Sequence, residues 1–264
     1  MTSAADIGVL GGSGFYKLLD NAEAHSVDTP FGPPSDRIAV GELAGRRVAF
    51  LPRHGAGHRF APHRVNYRAN LWALRSLGAR QLLSLSAVGS LRAEYGPGTL
   101  VTPDQVVDRT SGRAFTYNDA DTGVAHVAFG DPYCPRGRHA AGGAGIVDEA
   151  SLVVINGPRF SSRAESAEYQ RNGWSIIGMT GMPEAALARE LALCFTVLAL
   201  VTDLDAGVEA GGGVTHAAVR EQFAANIPRL RAWLIRTVAA LPAEQADCAC
   251  GQVYAATTPA FPLP

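Results

Sequence analysis

Apolar segments that read as β-strands alternate with segments of helical periodicity along most of this 264-residue chain, and this alternation constrains its fold most. It predicts an α/β fold with a central, largely parallel sheet. The predicted strands begin at Ile7 and then cover residues 47–52, 81–86, 99–107, 151–156, 176–179 and 195–201. The predicted helices cover residues 66–77, 183–193 and about 215–241.

Polar clusters stand at the ends of these predicted strands. They are Gly12-Ser13, Arg53-His54, Ser86-Ala87, Arg159 to Ser162, Met179-Thr180, and the acids Asp203 and Asp205. Ligands of open α/β folds bind at the carboxyl ends of the strands. The clusters therefore predict one shared site at that edge of the sheet.

The acids Asp203 and Asp205 directly follow the apolar run 195–201. Carboxylates at the end of a buried strand are costly unless they have partners or a task. One task that fits is to present a proton to the nitrogen of a leaving group. An ordinary aspartate has a pKa near ~3.9, so we expect burial or the neighbouring acid to raise the pKa of the group that holds this proton. Either acid can be the holder.

Two segments have the composition of an anion site. The turn Gly11 to Gly14 allows close backbone approach, and Ser13 adds a hydroxyl donor. The turn is not a dinucleotide-binding fingerprint, because Lys17 stands where the third glycine is required, and no Walker sequence follows it. Arg53 suits a phosphate, and the adjacent His54 offers a second donor. An ordinary strand-to-helix turn and a surface Arg-His pair remain open alternatives.

The segment Gly157 to Glu165 joins a strand exit to an aromatic ring, two hydroxyls and charged side chains. Phe160 has the flat face on which a planar base can stack. We expect Arg163 and Glu165 to pair with each other or to cap the following helix rather than to act in catalysis.

Composition excludes several classes of function. The net charge of −1 gives no basic surface of the kind that nucleic-acid binding requires. No apolar run reaches the roughly 18 residues that a membrane span needs. The N-terminus lacks the basic and apolar regions of a signal peptide, so we expect a cytoplasmic protein with no membrane partner.

The cysteines and histidines do not predict a metal. The four cysteines are too few and too scattered for a disulfide scaffold; they are Cys134, Cys194, Cys248 and Cys250. Cys194 is expected in the core. The Cys248-Ala-Cys250 pair lacks the usual C-x2-C spacing, and we expect it in a loose, reduced C-terminal extension over about residues 242–264. His58 and His63 lack a third ligand nearby.

The chain resembles the S-methyl-5'-thioadenosine phosphorylases, members of the trimeric purine nucleoside phosphorylase superfamily. The matching segments cover most of residues 7–210 in order: IGVLGGSGFY, DTPFGPPSD, PRHGAGH, VNYRANLWALRSLGA, SAVGSLR, PDQVVDRTSGR, DPYCP, GPRFSSRAES, MTGMPEAALARE and VTDLDAG. The resemblance implies one α/β domain over residues 1–264, with a central mixed, twisted sheet flanked by helices. It also implies a homotrimer with active sites near the subunit contacts.

The resemblance also implies a role for each matching position. The implied phosphate site consists of Ser13, Arg53, His54, Ser86, Ala87 and Thr180. The implied base and ribose contacts are Phe160, Ser161, Met179, Asp203 and Asp205. The implied pocket for the 5' substituent consists of Val214, His216, Val219 and, from a neighbouring subunit, His126.

The implied reaction is phosphorolysis of S-methyl-5'-thioadenosine to adenine and 5-methylthioribose 1-phosphate. Inorganic phosphate is the co-substrate, no metal or other cofactor is expected, and Asp203 donates a proton to the purine N7. The full phosphate set disfavours a hydrolase. His216 leaves an alternative open, because relatives that bind a 5'-hydroxyl nucleoside such as adenosine or inosine have a histidine there. Methylthioinosine is a further alternative, because GMTGMPEAALAREL resembles the methylthioinosine phosphorylases.

Overall fold

The computed structural model describes residues 4–12, 18–119, 121, 123–209, 215–245 and 248–264. Its strands are β1 (Ile7–Gly11), β2 (Glu23–His25), β3 (Ile38–Leu43), β4 (Arg46–Pro52), β5 (Gln81–Ser90), β6 (Leu100–Val101), β7 (Gln105–Arg109), β8 (Ile146–Val147), β9 (Ser151–Ile155), β10 (Ile176–Gly178) and β11 (Cys194–Leu204). Its α-helices are α1 (Tyr67–Ser76), α2 (Pro135–Ala141), α3 (Arg163–Arg171), α4 (Gly181–Glu190) and α5 (His216–Ala240). Single 3-10 turns lie at Ala56–His58 and Pro62–Arg64.

The sheet is mixed, with strand order β2-β3-β4-β1-β5-β10-β9-β7 and with β11 on the other side of β5. Strands β1 and β11 run parallel to β5, whereas β10 runs antiparallel to it. Strands β2, β3 and β4 form an antiparallel meander. The predicted α/β class and mixed sheet are confirmed. Parallel pairing joins β4, β1, β5 and β11, and it also joins β10, β9 and β7, but β10 pairs antiparallel with β5, so the sheet is parallel within these two groups rather than throughout.

Strand β11 explains why the run 195–201 is apolar except for Thr196. Val197, Ala199 and Val201 pack into the core that contains α1 and α4. Leu198 and Leu200 point the opposite way, into the core that contains α5. Because helices cover both faces of the strand, the side chains before its end are apolar apart from Thr196, which is 1% exposed.

The main differences from the predicted elements concern short segments. The strand predicted over 99–107 is two strands, β6 and β7. Five further elements have weak periodic signals because they are short: β2, β3, β8, α2 and α3. Helix α3 begins with a capping box in which Ser162 accepts from the Glu165 N–H and Glu165 accepts from the Ser162 N–H. The predicted cap is confirmed, but the ion pair of Glu165 is with Arg159 rather than Arg163.

The C-terminal segment after α5 contains no helix or strand in its described part, yet it packs against the domain. The Tyr254 hydroxyl donates to the Glu190 carbonyl at 2.7 Å. The ring of Phe261 lies 5.3 Å from that of Tyr117. Cys248 and Cys250 are 4% and 2% exposed, so the expectation of a loose tail around them is wrong. Among the described residues, no helix combines the length and apolar character that crossing a bilayer demands.

Candidate active site

A cavity of about 960 Å³ opens where β4, β10 and β11 end and where β5 passes beneath them. It brings together predicted residues from six parts of the chain: Arg53, His54, Ser86, Ala87, Phe160, Ser161, Met179, Thr180, Asp203, Asp205 and Val219. Ser86 and Ala87 lie within β5 rather than at its end, because that strand continues to Ser90. Ser13, Val214 and the side chain of His216 lie outside the described residues.

The acid pair enters the cavity through a bulge in β11. Val201 pairs with Val88 and Asp203 with Gly89, so Thr202 is an extra residue in the ladder. A bulge re-aims the side chains that follow it, and bulges are common beside active sites. The Thr202 hydroxyl donates to Oδ1 of Asp203 at 2.7 Å, which holds that carboxyl in place.

Burial raises the pKa of Asp203 to about 6; the Thr202 hydrogen bond opposes the rise and the charge of Asp205 adds to it. Burial also raises the pKa of Asp205, and the Ser166 hydroxyl and the Ala206 N–H oppose the rise. The expected rise in pKa is confirmed, and its main cause is burial rather than the neighbouring acid. Because this pKa lies below neutral pH, Asp203 is mostly ionised at neutral pH and keeps its proton in a small fraction of molecules.

Gly89 provides the space that the Asp203 carboxyl occupies. A Cβ on residue 89 would lie 3.0 Å from Oδ2 of Asp203 and 3.0 Å from Cγ2 of Ile177. Gly12 has a similar role beside Arg53, where a Cβ would lie 2.5 Å from the Leu85 carbonyl oxygen. Both glycines therefore allow close approaches that a larger residue would block.

Arg53 is held by an ion pair that the sequence did not reveal. Its Nε and Nη2 donate to the Glu184 carboxylate, and both side chains are buried, with exposures of 1% and 0%. Nη2 also donates to the Ser84 hydroxyl at 2.6 Å, and Nη1 donates to the Leu85 carbonyl at 3.0 Å. Four of the five guanidinium N–H groups are thus engaged, leaving one on Nη1. Glu184 neutralises much of the positive charge that Arg53 would bring to an anion.

His54 is a neutral imidazole in this site. Burial, helped by the charges of Arg53 and His58, lowers its pKa to about 3. Its Nδ1 lies 2.8 Å from the Phe60 carbonyl oxygen, so we assign the proton to Nδ1 and a lone pair to Nε2. His54 therefore offers an acceptor at Nε2, whereas the sequence predicted a donor. The His58 ring stacks on it at a centroid distance of 4.1 Å.

Two further groups give the cavity an anion-binding character. The Ser86 hydroxyl is buried without a hydrogen-bond partner among the described residues. Arg59 lines the cavity on its exposed side, where its guanidinium donates to the Ser35 carbonyl at 2.6 Å. Arg59 and Glu184 were missed from the sequence. Arg59 could have been found from its place in the same segment as Arg53, Arg53-His-Gly-Ala-Gly-His-Arg59. Glu184 gave no sequence signal of a functional role beyond its place after Pro183.

Polar atoms near the acid pair also lack partners. Ser161 Oγ and Asp205 Oδ2 are buried with no hydrogen bond of good geometry among the described residues. Phe160 and Met179 line the same region. A planar ligand with donors and acceptors along one edge would satisfy these groups while it contacts the apolar side chains.

Helix α5 forms a mostly apolar wall on another side of the cavity. Its contribution is Val219, Phe223, Ala224 and Ile227, with Arg220 as the charged exception. His126 is exposed and does not line the cavity of its own chain. It lies in the loop before α2, where Val124 is 62% exposed, and the same loop region contains Phe115, which is 63% exposed.

Comparison with known proteins gives a consistent result. Residues 6–239 match the model of the Phosphorylase superfamily. A purine nucleoside phosphorylase of Streptomyces coelicolor is 58% identical over 98% of both chains. An S-methyl-5'-thioadenosine phosphorylase of Mycolicibacterium smegmatis is 53% identical over 92% of this chain and 94% of the relative.

Solved structures are similar over nearly the same extent. A Schistosoma mansoni methylthioadenosine phosphorylase in complex with adenine matches with a TM-score of 0.85 and 36% identity, over 89% of this chain and 91% of that one. A methylthioadenosine phosphorylase from an Antarctic soil metagenomic library matches with a TM-score of 0.84 and 41% identity, over 95% and 91% of the two chains.

Proposed function

The chain belongs to the Phosphorylase superfamily, and from this premise we propose that it catalyses phosphorolysis of S-methyl-5'-thioadenosine. The products are adenine and 5-methylthioribose 1-phosphate. The observation that carries the proposal is that Asp203, with its pKa raised to about 6, faces the same cavity as a set of anion-binding groups. A purine nucleoside phosphorylase and an S-methyl-5'-thioadenosine phosphorylase each match nearly the whole chain, which supports phosphorolysis of a nucleoside as the reaction class.

In the proposed reaction, a phosphate oxygen forms a bond to C1' of the ribose while the bond from C1' to the purine N9 breaks. The electron pair of that bond moves into the purine, and Asp203 gives its proton to N7. A purine protonated at N7 leaves as a neutral molecule rather than as an anion. The proposed reaction uses inorganic phosphate as the nucleophile and needs no cofactor. Solvent restores the proton to Asp203 after the products leave.

The phosphate is proposed to lie against Arg53, Ser86 and Thr180, with Arg59 at the entrance. Arg53 offers the single N–H that Glu184, Ser84 and Leu85 leave unused. Ser86 offers a hydroxyl that has no other described partner. His54 accepts from a phosphate P–OH or a ribose hydroxyl through Nε2, since its proton is on Nδ1. The role of Ser13 stays a prediction.

The base is proposed to lie between Phe160 and the acid pair. A 6-amino group donates to a carboxylate, so Asp205 favours adenine over a 6-oxopurine, whose oxygen would face the carboxylate oxygens without a donor. Ser161 completes the polar edge with its hydroxyl. Met179 is proposed to contact the ribose.

The 5' substituent is proposed to lie against helix α5. Val219, Phe223 and Ile227 suit a methylthio group better than a hydroxyl, since a hydroxyl among apolar side chains has no partner. The roles of Val214 and His216 stay predictions. The second candidate function is that of a purine nucleoside phosphorylase acting on adenosine or inosine. It is favoured by the name of the Streptomyces coelicolor relative and by the presence of His216.

We also propose that the enzyme is a homotrimer in which His126 reaches the site of a neighbouring subunit. The exposed apolar side chains of Phe115 and Val124 support an intersubunit contact in this loop region. Light scattering combined with chromatography tests the assembly, and a monomer of 27.7 kDa would contradict it.

One substrate panel tests the proposed function. Base release is measured with and without phosphate for methylthioadenosine, adenosine, methylthioinosine and inosine. The proposal expects release that depends on phosphate and the highest kcat/KM for methylthioadenosine. A preference of about 100-fold over adenosine, equal to about 2.7 kcal/mol, would exclude the 5'-hydroxyl alternative. Release without phosphate would show a hydrolase, and preference for inosine would contradict the proposed base contacts.

A further inference from the structure

Four buried cysteines from three distant parts of the chain meet at one point. Cys134 precedes α2, Cys194 begins β11, and Cys248 and Cys250 belong to the C-terminal segment. Their Sγ atoms all lie within 4.8 Å of one another. The Sγ of Cys248 is 3.6 Å from that of Cys134 and 3.5 Å from that of Cys194.

The two shortest of these distances are close to the edges of a tetrathiolate metal site, and the limit of 4.8 Å leaves all four sulfurs within reach of one ion. A zinc ion binds thiolates at about 2.3 Å, and a regular tetrahedron with that radius has edges of about 3.8 Å. Four sulfur ligands select a soft or borderline metal, and a site with no room for water is structural rather than catalytic. We propose that Cys134, Cys194, Cys248 and Cys250 bind one structural zinc ion that fastens the C-terminal segment to the domain.

The surroundings of the cluster suit this role. The Gln245 amide donates to Cys194 Sγ at 3.5 Å and to the Ala192 carbonyl at 2.8 Å. The Cys134 N–H donates to the Phe195 carbonyl at 2.8 Å, which joins the first two ligand-bearing segments. Such hydrogen bonds orient metal ligands and offset the charge of thiolates.

Charge balance points in the same direction. Binding of one zinc ion to four thiols releases four protons and leaves a net charge of −2 on the site. Arg189 donates through Nη2 to the carbonyl of Asp131, three residues before Cys134, and its Nε is buried with no hydrogen-bond partner among the described residues. A guanidinium in this position offsets part of the negative charge.

The position of the site separates it from the reaction. Cys194 and Asp203 lie near opposite ends of β11, nine residues apart, or about 30 Å at the usual rise of an extended strand. Zinc therefore acts on stability and not on the chemistry. The spacing of Cys248-Ala-Cys250 predicted no metal, but the fold brings Cys134 and Cys194, 60 residues apart in the chain, to the same point.

The test uses the full chain, purified without chelator, reductant or a polyhistidine tag. Elemental analysis is expected to find about one zinc per chain, and titration with a mercurial in the presence of a zinc indicator is expected to release it as four thiols react. Four reactive thiols without metal, disulfide-bonded cysteines, or iron in place of zinc would each overturn the proposal.

Variants and metal exchange provide independent readouts. Cys248→Ser and Cys250→Ser are expected to lose the zinc and to lower Tm by several degrees, with KM unchanged below the transition. Thr258→Ala, an exposed change in the same segment, is expected to keep both zinc and Tm. If the serine variants fail to fold, cobalt-exchanged wild-type protein remains decisive. It should show the intense visible absorption of tetrahedral thiolate cobalt(II), and its absence would overturn the proposal.

Discussion

Gly89 of β5 lies opposite Asp203 of β11, and the missing side chain of the glycine is the space in which the carboxyl lies. A Cβ at residue 89 would approach Oδ2 of Asp203 to 3.0 Å and Ile177 to the same distance. The carboxyl is fixed on its other side by the Thr202 hydroxyl. Its direction is therefore set by a bulge, a hydroxyl and a glycine together.

Gly89→Ala is expected to lower kcat at least about tenfold, which corresponds to about 1.4 kcal/mol, because the new methyl group displaces the Asp203 carboxyl. Steady-state kinetics with methylthioadenosine measures the effect. Gly96→Ala is the matched control, since a Cβ there meets nothing within 4 Å. Wild-type kcat in Gly89→Ala would show that the space left by Gly89 does not position the Asp203 carboxyl.

Asp203→Asn is expected to make the protein less active but more stable. The folded-state pKa of Asp203 is raised to about 6, so its contribution to stability is fully present below its unfolded pKa near 3.8 and is lost as pH rises through about 6. An asparagine avoids this loss, about 3 kcal/mol at pH 7, and still accepts from Thr202. Tm measured against pH should show an advantage for the variant at pH 7 that disappears near pH 4. A Tm difference independent of pH would contradict the raised pKa.

Glu184→Gln is expected to destabilise the protein by about 3–5 kcal/mol, because it leaves Arg53 buried without its counter-ion. Phosphate replaces part of the lost charge, so it should raise Tm more in the variant than in the wild type. Chemical denaturation and thermal scans with increasing phosphate measure both effects. Glu94→Gln is the control, because its pair with Arg92 is exposed and is expected to contribute less than about 1 kcal/mol. An equal rise in Tm with phosphate in wild type and Glu184→Gln would contradict the proposed contact between phosphate and Arg53.

The sequence predicted the central elements because their signals are local and strong. The run 195–201 is apolar on both faces, and helix α1 has clear periodicity followed by Gly78. The polar residues after these strands predicted which side chains meet at the cavity. The resemblance to a family added expected roles for the individual residues.

The features that sequence reasoning missed depend on contacts between distant residues. Glu184 lies 131 positions from Arg53, and only the fold, which packs α4 against α1, β9 and β11, brings them together. The cysteine cluster joins Cys134 to Cys248 across 114 positions. The neutral state of His54 follows from burial and from the Phe60 carbonyl, neither of which a residue pattern displays.

The central claim is that Asp203 gives a proton to the leaving purine, and Asp203→Ala tests it most directly. Its kcat is compared with that of the wild type on methylthioadenosine and on the N7-methylated nucleoside, whose base leaves without taking a proton. The predicted result is a loss of about 10²–10⁴ on methylthioadenosine, the usual range for general acid catalysis, and much less on the methylated substrate. An equal loss on both substrates, or wild-type turnover of methylthioadenosine, would contradict the claim.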